Sequence, residues 1–279
     1  MRMASVASPL QSAMPDPDPI PFARSARPAP ARAAQASPLR PIPIPGLFVT
    51  GTDTGVGKTV VAGMVADWFR RRGNRVAVLK PVATGCVKRR EGLVSEDAEF
   101  LAVCADARHP LDLICPQRYV EPMAPAVAAE RAGEPLDWAA VQRSIDLMAA
   151  DSDVMIVEGV GGLMVPLDAH HTVRDLARWL GLPALVVARP NLGTINHTLL
   201  TVEVLRQAGV PVAGVAINRH PVPENAGPVE ETNPRAIEKW GRVPVLCIVP
   251  DEPVSGARLP PGIIAASETV DWERFVGRK

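Results

Sequence analysis

The sequence predicts an α/β domain with a mostly parallel sheet flanked by helices. Its apolar residues fall into short runs without polar alternation, which is typical of strands covered on both faces. Between these runs, apolar residues recur at helical spacing. Alternation of such strands with helices indicates a parallel sheet. Ligands bind such sheets beyond the carboxyl ends of the strands, so the residues after each predicted strand are the first candidates for function.

The predicted elements follow one another from residue 47 onward. The predicted strands are 47–49, 76–79, 154–157, 184–188, 212–217 and 245–249. Helices are predicted after residue 59 and at 172–180, 195–207 and 235–240. Thr172 is a residue type that caps helix starts, and Gly73, Gly181 and Gly209 stand where a left-handed residue ends a helix.

The N-terminal segment differs from the rest of the chain. Residues 1–45 are rich in Pro, Ala, Ser and Arg. Such a segment buries too little apolar surface to offset its ordering entropy, so we predict a disordered extension and a folded domain at 46–279. A transit peptide would also contain Arg and Ser, but Asp16, Asp18 and the many prolines fit it poorly.

Composition excludes several classes of protein. The formal net charge of +0 argues against a general nucleic-acid or anionic-membrane binder. No apolar run reaches the ~18 residues of a membrane helix. The 4 cysteines form no CxxC pair and no His has zinc-finger spacing, so neither a disulfide framework nor a structural metal is expected. Free thiols fit a cytoplasmic protein.

Residues 51–59 predict a phosphate-binding loop. They read Gly-Thr-Asp-Thr-Gly-Val-Gly-Lys-Thr between the first strand and the first helix. Backbone N–H groups would cradle phosphates, Lys58 would reach the β- and γ-phosphates, and Thr59 would ligate Mg²⁺. Thr52 stands where the usual pattern has its first glycine, and Gly51 lies one residue upstream. A chance glycine-rich turn is the alternative, but the strand–loop–helix context favours a P-loop NTPase-type domain.

Polar residues follow three other predicted strands. Lys80 follows the second strand and is expected to face the phosphate loop. Glu158 follows the third, where an acidic residue commonly holds Mg²⁺ or its water. Asn218 follows the fifth, and its amide can pair with a nucleobase. A solvated lysine or a turn-forming asparagine is the structural alternative at these positions.

Two further segments are candidates for substrate binding. Gly159–Gly162 is a second glycine-rich loop, where backbone can approach a ligand closely. Residues 191–197 follow the fourth strand and open a helix, whose free N–H groups suit a carboxylate. His197 within that helix is expected to be structural or solvated rather than a catalytic base.

Together these segments resemble the dethiobiotin synthetase family of biotin biosynthesis. The phosphate loop alone is shared with many ATPases, whereas its Gly-Thr-Asp-Thr variant, Lys-Pro-Val and Glu-Pro-x-x-Pro are specific in combination. Members of the family also have the first glycine of the phosphate loop one residue upstream of the usual position. The matching segments, in the family's order, are 51–59, 80–85, 96–98, 121–125, 158–162 and 192–197.

The resemblance implies an ATP- and Mg²⁺-dependent ligase that closes the ureido ring of dethiobiotin from 7,8-diaminononanoate and CO₂. One amine takes up CO₂ as a carbamate, which receives the γ-phosphoryl group of ATP to give a carbamic–phosphoric anhydride. The second amine attacks the carbonyl and phosphate leaves. The resemblance also implies a homodimer that acts on small molecules, with no nucleic-acid or membrane partner.

The resemblance assigns roles to matching positions in this sequence. The catalytic residues are Lys80, Lys58 and Thr54. Nucleotide binding falls to Gly55, Val56, Gly57, Lys58, Thr59, Val60 and Asn218, and Mg²⁺ to Thr59, Asp97 and Glu158. Substrate contacts fall to Thr54, Lys80, Thr84, Glu158, Gly161 and Gly162, with Leu192, Gly193, Thr194 and Asn196 serving the site of the other subunit. Gly55 stands where some members have Glu, and 221–232 matches poorly.

Two alternative functions share this fold class. Switch ATPases that position chromosomes or septa carry a lysine where this chain has Asp53, which argues against that function. Synthetases of the cobyrinic-acid type carry a following glutamine-cleaving domain with a nucleophilic cysteine. The sequence after residue 250 is too short for such a domain.

Overall fold

The computed structural model describes residues 37–90, 92–254, 256 and 258–277. Its strands are β1 (Gly46–Gly51), β2 (Val76–Leu79), β3 (Val82–Ala83), β4 (Val87–Arg89), β5 (Gly92–Val94), β6 (Gln117–Arg118), β7 (Val154–Gly162), β8 (Ala184–Ala188), β9 (Val212–His220) and β10 (Val245–Pro250). Its α-helices are α1 (Lys58–Arg71), α2 (Glu96–Ala105), α3 (Leu111–Ile114), α4 (Pro125–Ala132), α5 (Trp138–Ala149), α6 (Val173–Leu180), α7 (Thr194–Gln207), α8 (Pro228–Gly241) and α9 (Pro261–Glu268).

The central feature is a 6-stranded sheet in the order β10-β9-β8-β1-β7-β2. Every neighbouring pair in it is parallel, which confirms the predicted α/β class. A parallel pair, β3–β6, and an antiparallel hairpin, β4–β5, lie outside this sheet. Within the described residues, no helix is long and apolar enough to cross a membrane.

The core lies around the central strands. Residues Leu47–Val49, Ala184–Ala188 and Met155–Val157 are 0% exposed, as expected for strands covered on both faces. Helices α1 and α6 pack against β7, and α7 packs against β8. Each fully buried Val, Leu, Ile or Phe side chain contributes about 1.5–3 kcal/mol, so these strands form the main stabilising element.

The strand order places a crevice beside β1. From β1 the chain runs to β2 at the sheet edge, returns to β7, and then crosses to β8 on the other side of β1. Open parallel sheets bind ligands where the strand order reverses in this way. The residues beyond the carboxyl ends of β1, β7 and β8 are therefore brought to one place.

Strands β7 and β9 continue well beyond their predicted ends. Glu158 and Asn218 were expected directly after strands, but they lie inside β7 and β9, which end at Gly162 and His220. The glycines that indicated a loop after Glu158 form the end of a strand, because the ladder continues to the Gly51–Gly162 pair. Glu158 lies at the middle of β7, and Asn218 lies in the carboxyl half of β9.

Helix α8 begins earlier than predicted and contains a proline. Pro228 occupies its first turn, where a missing N–H costs nothing, and Pro234 lies inside it. A proline at 234 leaves the carbonyl of Glu230 without its usual helical donor. His220 Nε2 lies 3.3 Å from that carbonyl oxygen and supplies the contact. This compensation between distant residues is not visible in the local sequence.

The folded part also begins earlier than predicted. Leu39 and Ile42 are buried, and the backbone N–H of Ile42 donates to Leu180 O at 3.0 Å. Disorder up to residue 45 is therefore wrong for residues 37–45, whose few apolar side chains find space beside α6. The remainder of the predicted extension, residues 1–36, lies outside the described residues.

Candidate active site

The phosphate-loop motif connects β1 to α1, as the sequence predicts. Gly55 and Gly57 have φ of 73° and 87°, which favour glycine. A Cβ on Gly57 would also lie 1.9 Å from Asn218 Nδ2. Helix α1 starts at Lys58, directly after this turn, so its first N–H groups are free of helical partners. The loop thus has the strand–turn–helix geometry of an anion site.

Lys58 is held within the loop that it closes. Its Nζ donates to the backbone carbonyl of Asp53 at 3.0 Å, and the residue is 7% exposed. Burial lowers the pKa of Lys58, and Lys80 lowers it further, while Glu158 opposes both. The hydrogen bond to the Asp53 carbonyl therefore holds the Lys58 side chain inside the phosphate loop.

A buried ionic centre forms beside this loop. Lys80 Nζ lies 2.6 Å from Glu158 Oε1 and 2.8 Å from Asp97 Oδ2. The lysine and glutamate side chains are 4% and 1% exposed, while that of Asp97 is 45% exposed. The fold has thus brought together three candidate residues from β7, the end of β2 and the start of α2.

Thr59 connects the loop to the ionic centre. Its Oγ1 lies 3.0 Å from Asp97 Oδ1 and 2.9 Å from Glu158 Oε1. One hydroxyl proton serves only one of these carboxylates at a time. Glu158 Oε2 is buried, and the described residues give it no hydrogen-bond partner. The centre has more acceptor oxygens than protons, which is the composition that suits a hard divalent cation.

The buried ionic centre shifts the pKa values of Lys80, Asp97 and Glu158 in different directions. Burial by itself lowers the pKa of Lys80, but attraction to Glu158 and Asp97 outweighs it, and the pKa is raised. Burial tends to raise the pKa of Asp97, but Lys80 more than offsets it and the pKa is lowered. Burial raises the pKa of Glu158 although Lys80 opposes the shift. Lys80 therefore stays protonated at neutral pH.

No cluster of three or more His, Cys, Asp or Glu side chains suited to a metal occurs among the described residues. The centre at Thr59 offers two carboxylates and a hydroxyl. A site of this kind matches Mg²⁺, which keeps waters and takes its remaining ligands from phosphate oxygens.

The second glycine-rich segment lies against the phosphate loop. Gly162 pairs with Gly51 across the parallel ladder. Gly161 has φ of 59°, and a Cβ on it would lie 3.6 Å from Thr54 Oγ1. Thr54, Gly161 and Gly162 are therefore close together, as their shared candidate role in substrate binding requires.

Thr84 lies on a turn that faces the Glu-Pro motif. Strands β3 and β6 pair on one side of it, and the backbone N–H of Cys86 donates to Tyr119 O at 3.0 Å. A Cβ on Gly85 would lie 3.3 Å from Pro122 Cβ. Two segments singled out in the sequence, 80–85 and 121–125, thus meet beyond the end of β2.

Asn218 supports the phosphate loop from the end of β9. It is 2% exposed, and its Nδ2 donates to the backbone carbonyl of Val56 at 2.9 Å. Val60, the other nucleotide candidate here, is partly buried on the first turn of α1. One N–H of the Asn218 amide is thus used within the protein.

The candidate helix start lies on the surface. Leu192 is 89% exposed, and Gly193 has φ of 93°, with open space where a Cβ would lie. Asn196 is exposed as well. Thr194 is buried, and its Oγ1 has no hydrogen-bond partner among the described residues. Leu192, Gly193 and Asn196 are thus exposed, whereas Thr194 and the Lys80 centre are buried.

Sequence reasoning missed one contact of the phosphate loop. Arg189 Nη2 donates to Asp53 Oδ2 at 2.8 Å. Asn233 Nδ2, on α8, donates to the carbonyl of Pro190 at 2.6 Å and thereby holds the same connection. Arg189 directly follows a predicted strand, so the rule that pointed to Lys80 and Glu158 pointed to it as well.

The sequence of this chain is similar to those of known proteins. A family model described as an AAA domain matches residues 45–258. An ATP-dependent dethiobiotin synthetase of Anaeromyxobacter dehalogenans is 47% identical over 174 residues, which are 62% of this chain and 76% of that protein. Its counterpart in Thermodesulfovibrio yellowstonii is 39% identical over 212 residues, 74% of this chain and 88% of that protein.

This chain belongs to the dethiobiotin synthetase family. The resemblance predicted from six ordered motifs is thereby confirmed, as is membership of a class of ATP-dependent ligases. A solved cell division ATPase MinD of Pyrococcus furiosus is 17% identical, covers 80% of this chain and 97% of its own, and has a TM-score of 0.45. The fold assignment rests on the parallel strand order given above.

Proposed function

We propose that this chain catalyses the ATP- and Mg²⁺-dependent closure of the ureido ring of dethiobiotin from 7,8-diaminononanoate and CO₂. The observation that carries the proposal is the buried Lys80, held by Glu158 and Asp97 beside a phosphate loop. A buried lysine whose pKa is raised by two carboxylates suits a reaction in which two anions, a carbamate and a phosphoryl group, must approach each other.

ATP would bind along the phosphate loop in this proposal. The backbone N–H groups of Gly55–Thr59 and the Lys58 ammonium would face the phosphates, and Val60 would add the first turn of α1. Asn218, already bonded to Val56 O, would use its remaining amide atoms on adenine. The same residue thus supports the loop and selects the base.

Thr59, Asp97 and Glu158 would hold Mg²⁺. The fit rests on the unpartnered Glu158 Oε2 and on the surplus of acceptor oxygens around the Thr59 hydroxyl. A bound Mg²⁺ supplies charge neutralisation at the phosphate oxygens. Lys80 donates to the same two carboxylates, so its ammonium would lie next to the metal position.

Lys80 would act on the reacting groups, and Thr54 would contact the carbamate. One substrate amine adds to CO₂, loses a proton and becomes a carbamate, whose negative charge the Lys80 ammonium offsets. Lys80 and Lys58 together stabilise the charge of the phosphoryl group as it passes from ADP to the carbamate oxygen. The second amine then attacks the carbonyl carbon, the bond from that carbon to the phosphate oxygen breaks with its electrons going to phosphate, and the departing phosphate takes up the proton that the nitrogen loses. Positioning and charge suffice for this transfer, so no strong general base is needed.

The remaining substrate contacts would come from two places. Thr84 and the backbone at Gly161 and Gly162 surround the reacting end. The helix start at Leu192, Gly193, Thr194 and Asn196 would hold the carboxylate tail. Because Leu192 is 89% exposed, this helix start is available to a second subunit, which supports a homodimer in which each protomer completes the other's site.

The cellular setting follows from the same chemistry. The described cysteines, all buried, are free thiols, which fits our expectation of a cytoplasmic enzyme. ATP, CO₂ and a small diamine are the proposed partners, with neither nucleic acid nor membrane involved. We assign the catalytic domain to the part of the chain from residue 37 onward, which revises the boundary at 46.

Product formation tests the proposed function directly. The protein is incubated with 7,8-diaminononanoate, bicarbonate, Mg²⁺ and ATP, and dethiobiotin and ADP are quantified by mass spectrometry. We expect ADP and dethiobiotin in equal amounts, and turnover that depends on the diamine, on bicarbonate and on Mg²⁺. ATP turnover that is indifferent to the diamine would contradict the proposal. A monoamine of the same chain length, which cannot close the ring, is the matched control.

A further inference from the structure

Arg189 joins the tip of the phosphate loop to the connection that precedes α7. It directly follows β8, and its Nη2 donates to Asp53 Oδ2 at 2.8 Å. The strands from which the two segments emerge are parallel neighbours, and Thr52 N donates to Val187 O at 3.0 Å. The ion pair is therefore a second contact between the two loops, beyond the backbone hydrogen bonds that join β1 to β8.

Asp53 uses its other oxygens inside the phosphate loop. Its Oδ1 accepts a hydrogen bond from the backbone N–H of Thr54 at 2.7 Å. Its carbonyl oxygen accepts from Lys58 Nζ at 3.0 Å. A shift of Asp53 therefore moves both the residue that would face the carbamate and the lysine that would reach the phosphates.

The connection after Arg189 is also fixed at its other end. Asn233 is 5% exposed, and its Nδ2 donates to Pro190 O at 2.6 Å and lies 3.5 Å from Asn191 O. Thr194 N in turn donates to Asn191 O at 3.2 Å. The helix start at Gly193 is thus held between a buried asparagine of α8 and an arginine that is bonded to the phosphate loop.

The exposure of the ion pair argues against a role in folding alone. The side chains of Arg189 and Asp53 are 47% and 51% exposed. Ion pairs with this exposure contribute little to the free energy of unfolding. The pair instead connects two loops that both carry candidate ligand-binding residues.

We propose that Arg189 is a positioning residue that couples the phosphate loop to the helix start at Gly193, so that a nucleotide bound at one favours a ligand at the other. The proposal deepens the proposed function and rests on it for the identity of the second ligand. Coupling between two sites is reciprocal, so it can be measured from the side of either ligand. The measured coupling does not depend on which subunit the helix start serves, because a saturating nucleotide occupies every phosphate loop of the assembly.

Calorimetry on the full chain tests the coupling. The dissociation constant of 7,8-diaminononanoate is measured with Mg²⁺ alone and with Mg²⁺ plus a saturating non-hydrolysable ATP analogue. We expect the analogue to tighten diamine binding by about fivefold or more in the unaltered protein, within the usual range of coupling. Arg189→Ala and Asp53→Asn should reduce that factor towards one, and Arg189→Lys should retain part of it.

A matched variant separates coupling from stability. Arg143→Ala removes another exposed arginine, which lies on α5 and pairs with Asp137 at 3.4 Å. It should leave the coupling factor and the thermal midpoint unchanged, and Arg189→Ala should also leave the midpoint unchanged. The proposal is overturned if the unaltered protein shows no coupling or if Arg189→Ala retains all of it. Absence of any diamine binding to the unaltered protein contradicts the proposed function itself, whereas unchanged coupling contradicts only the role of Arg189.

Discussion

Lys80 Nζ and Glu158 Oε1 are 2.6 Å apart, and both side chains are almost completely buried. Asp97, at 2.8 Å from the same nitrogen, adds a second carboxylate whose side chain is 45% exposed. Two carboxylates around one ammonium leave a net negative site. That excess is what a nucleotide-bound cation would balance, so in the function we propose the same ion pair would serve both the metal site and the positioning of Lys80.

Replacement of Lys80 should separate catalysis from nucleotide binding. Lys80→Ala is expected to lower turnover by about 10²–10³-fold, because an electrostatic stabiliser of the transferring group is lost. The affinity for an ATP analogue should change little, since Lys58 and the loop backbone are retained. Steady-state kinetics and calorimetry measure the two effects, with Lys88→Ala, an exposed lysine on β4, as the control. Unaltered turnover would remove Lys80 from the mechanism.

Gly57 should tolerate no side chain. Gly57→Ala adds a methyl group 1.9 Å from Asn218 Nδ2 at a φ of 87°. We expect a loss of about 1–3 kcal/mol in the free energy of unfolding from strain, and at least a tenfold loss of ATP affinity as the loop shifts. Denaturant unfolding and calorimetry measure these changes.

Gly73 supplies the control for this substitution. It has φ of 83°, but a Cβ there meets no atom within 4 Å. Gly73→Ala should therefore show the cost of backbone strain alone and keep nucleotide affinity. Equal effects of the two substitutions on ATP binding would mean that the contact with Asn218 is unimportant.

Glu268 should make stability depend on acid pH. It pairs with Arg72, directly after α1, and with Arg71, the last residue of α1, and the hydrogen bonds from Arg72 and Arg71 lower its pKa to about 2. A carboxyl whose folded pKa is depressed stabilises the fold above its ordinary value of 4.5, and this contribution is lost as the pH falls towards 2.

The corresponding test compares Glu268→Gln with the unaltered chain at several pH values. Because the side chain is 38% exposed, the expected loss at pH 7 is only about 0.5–1 kcal/mol. The difference in free energy of unfolding should shrink as the pH falls from about 4.5 towards 2. A difference that stays constant with pH would show that lost packing, not charge, causes the effect.

Truncation should locate the true start of the folded domain. Two shortened chains, one starting at residue 37 and one at residue 46, differ by the segment that buries Leu39 and Ile42. Burial of such side chains contributes about 1.5–3 kcal/mol each, so the shorter chain should have a clearly lower thermal midpoint. Equal midpoints would show that this segment does not hold α6 in place.

The sequence by itself determined the local chemistry of this protein. Apolar runs without alternation identified the central strands because each strand is buried on both faces. The phosphate loop was readable because its glycines, Lys58 and Thr59 act within one short segment, whose conformation depends on neighbouring residues. Strand β7 was underestimated because its last residues are glycines, and only pairing with β1 keeps them in the sheet.

Only the tertiary structure decided which of these groups meet. Lys80 and Glu158 are 78 positions apart, Asp53 and Arg189 are 136 apart, and Asn218 and Val56 are 162 apart. These contacts depend on the strand order β9-β8-β1-β7-β2 and on the crossing of the chain from one side of β1 to the other. Local sequence constrains backbone conformation over a few residues, whereas the packing of the whole sheet sets distances between remote side chains. For that reason the motif was predictable, and the link from Arg189 to the phosphate loop was not.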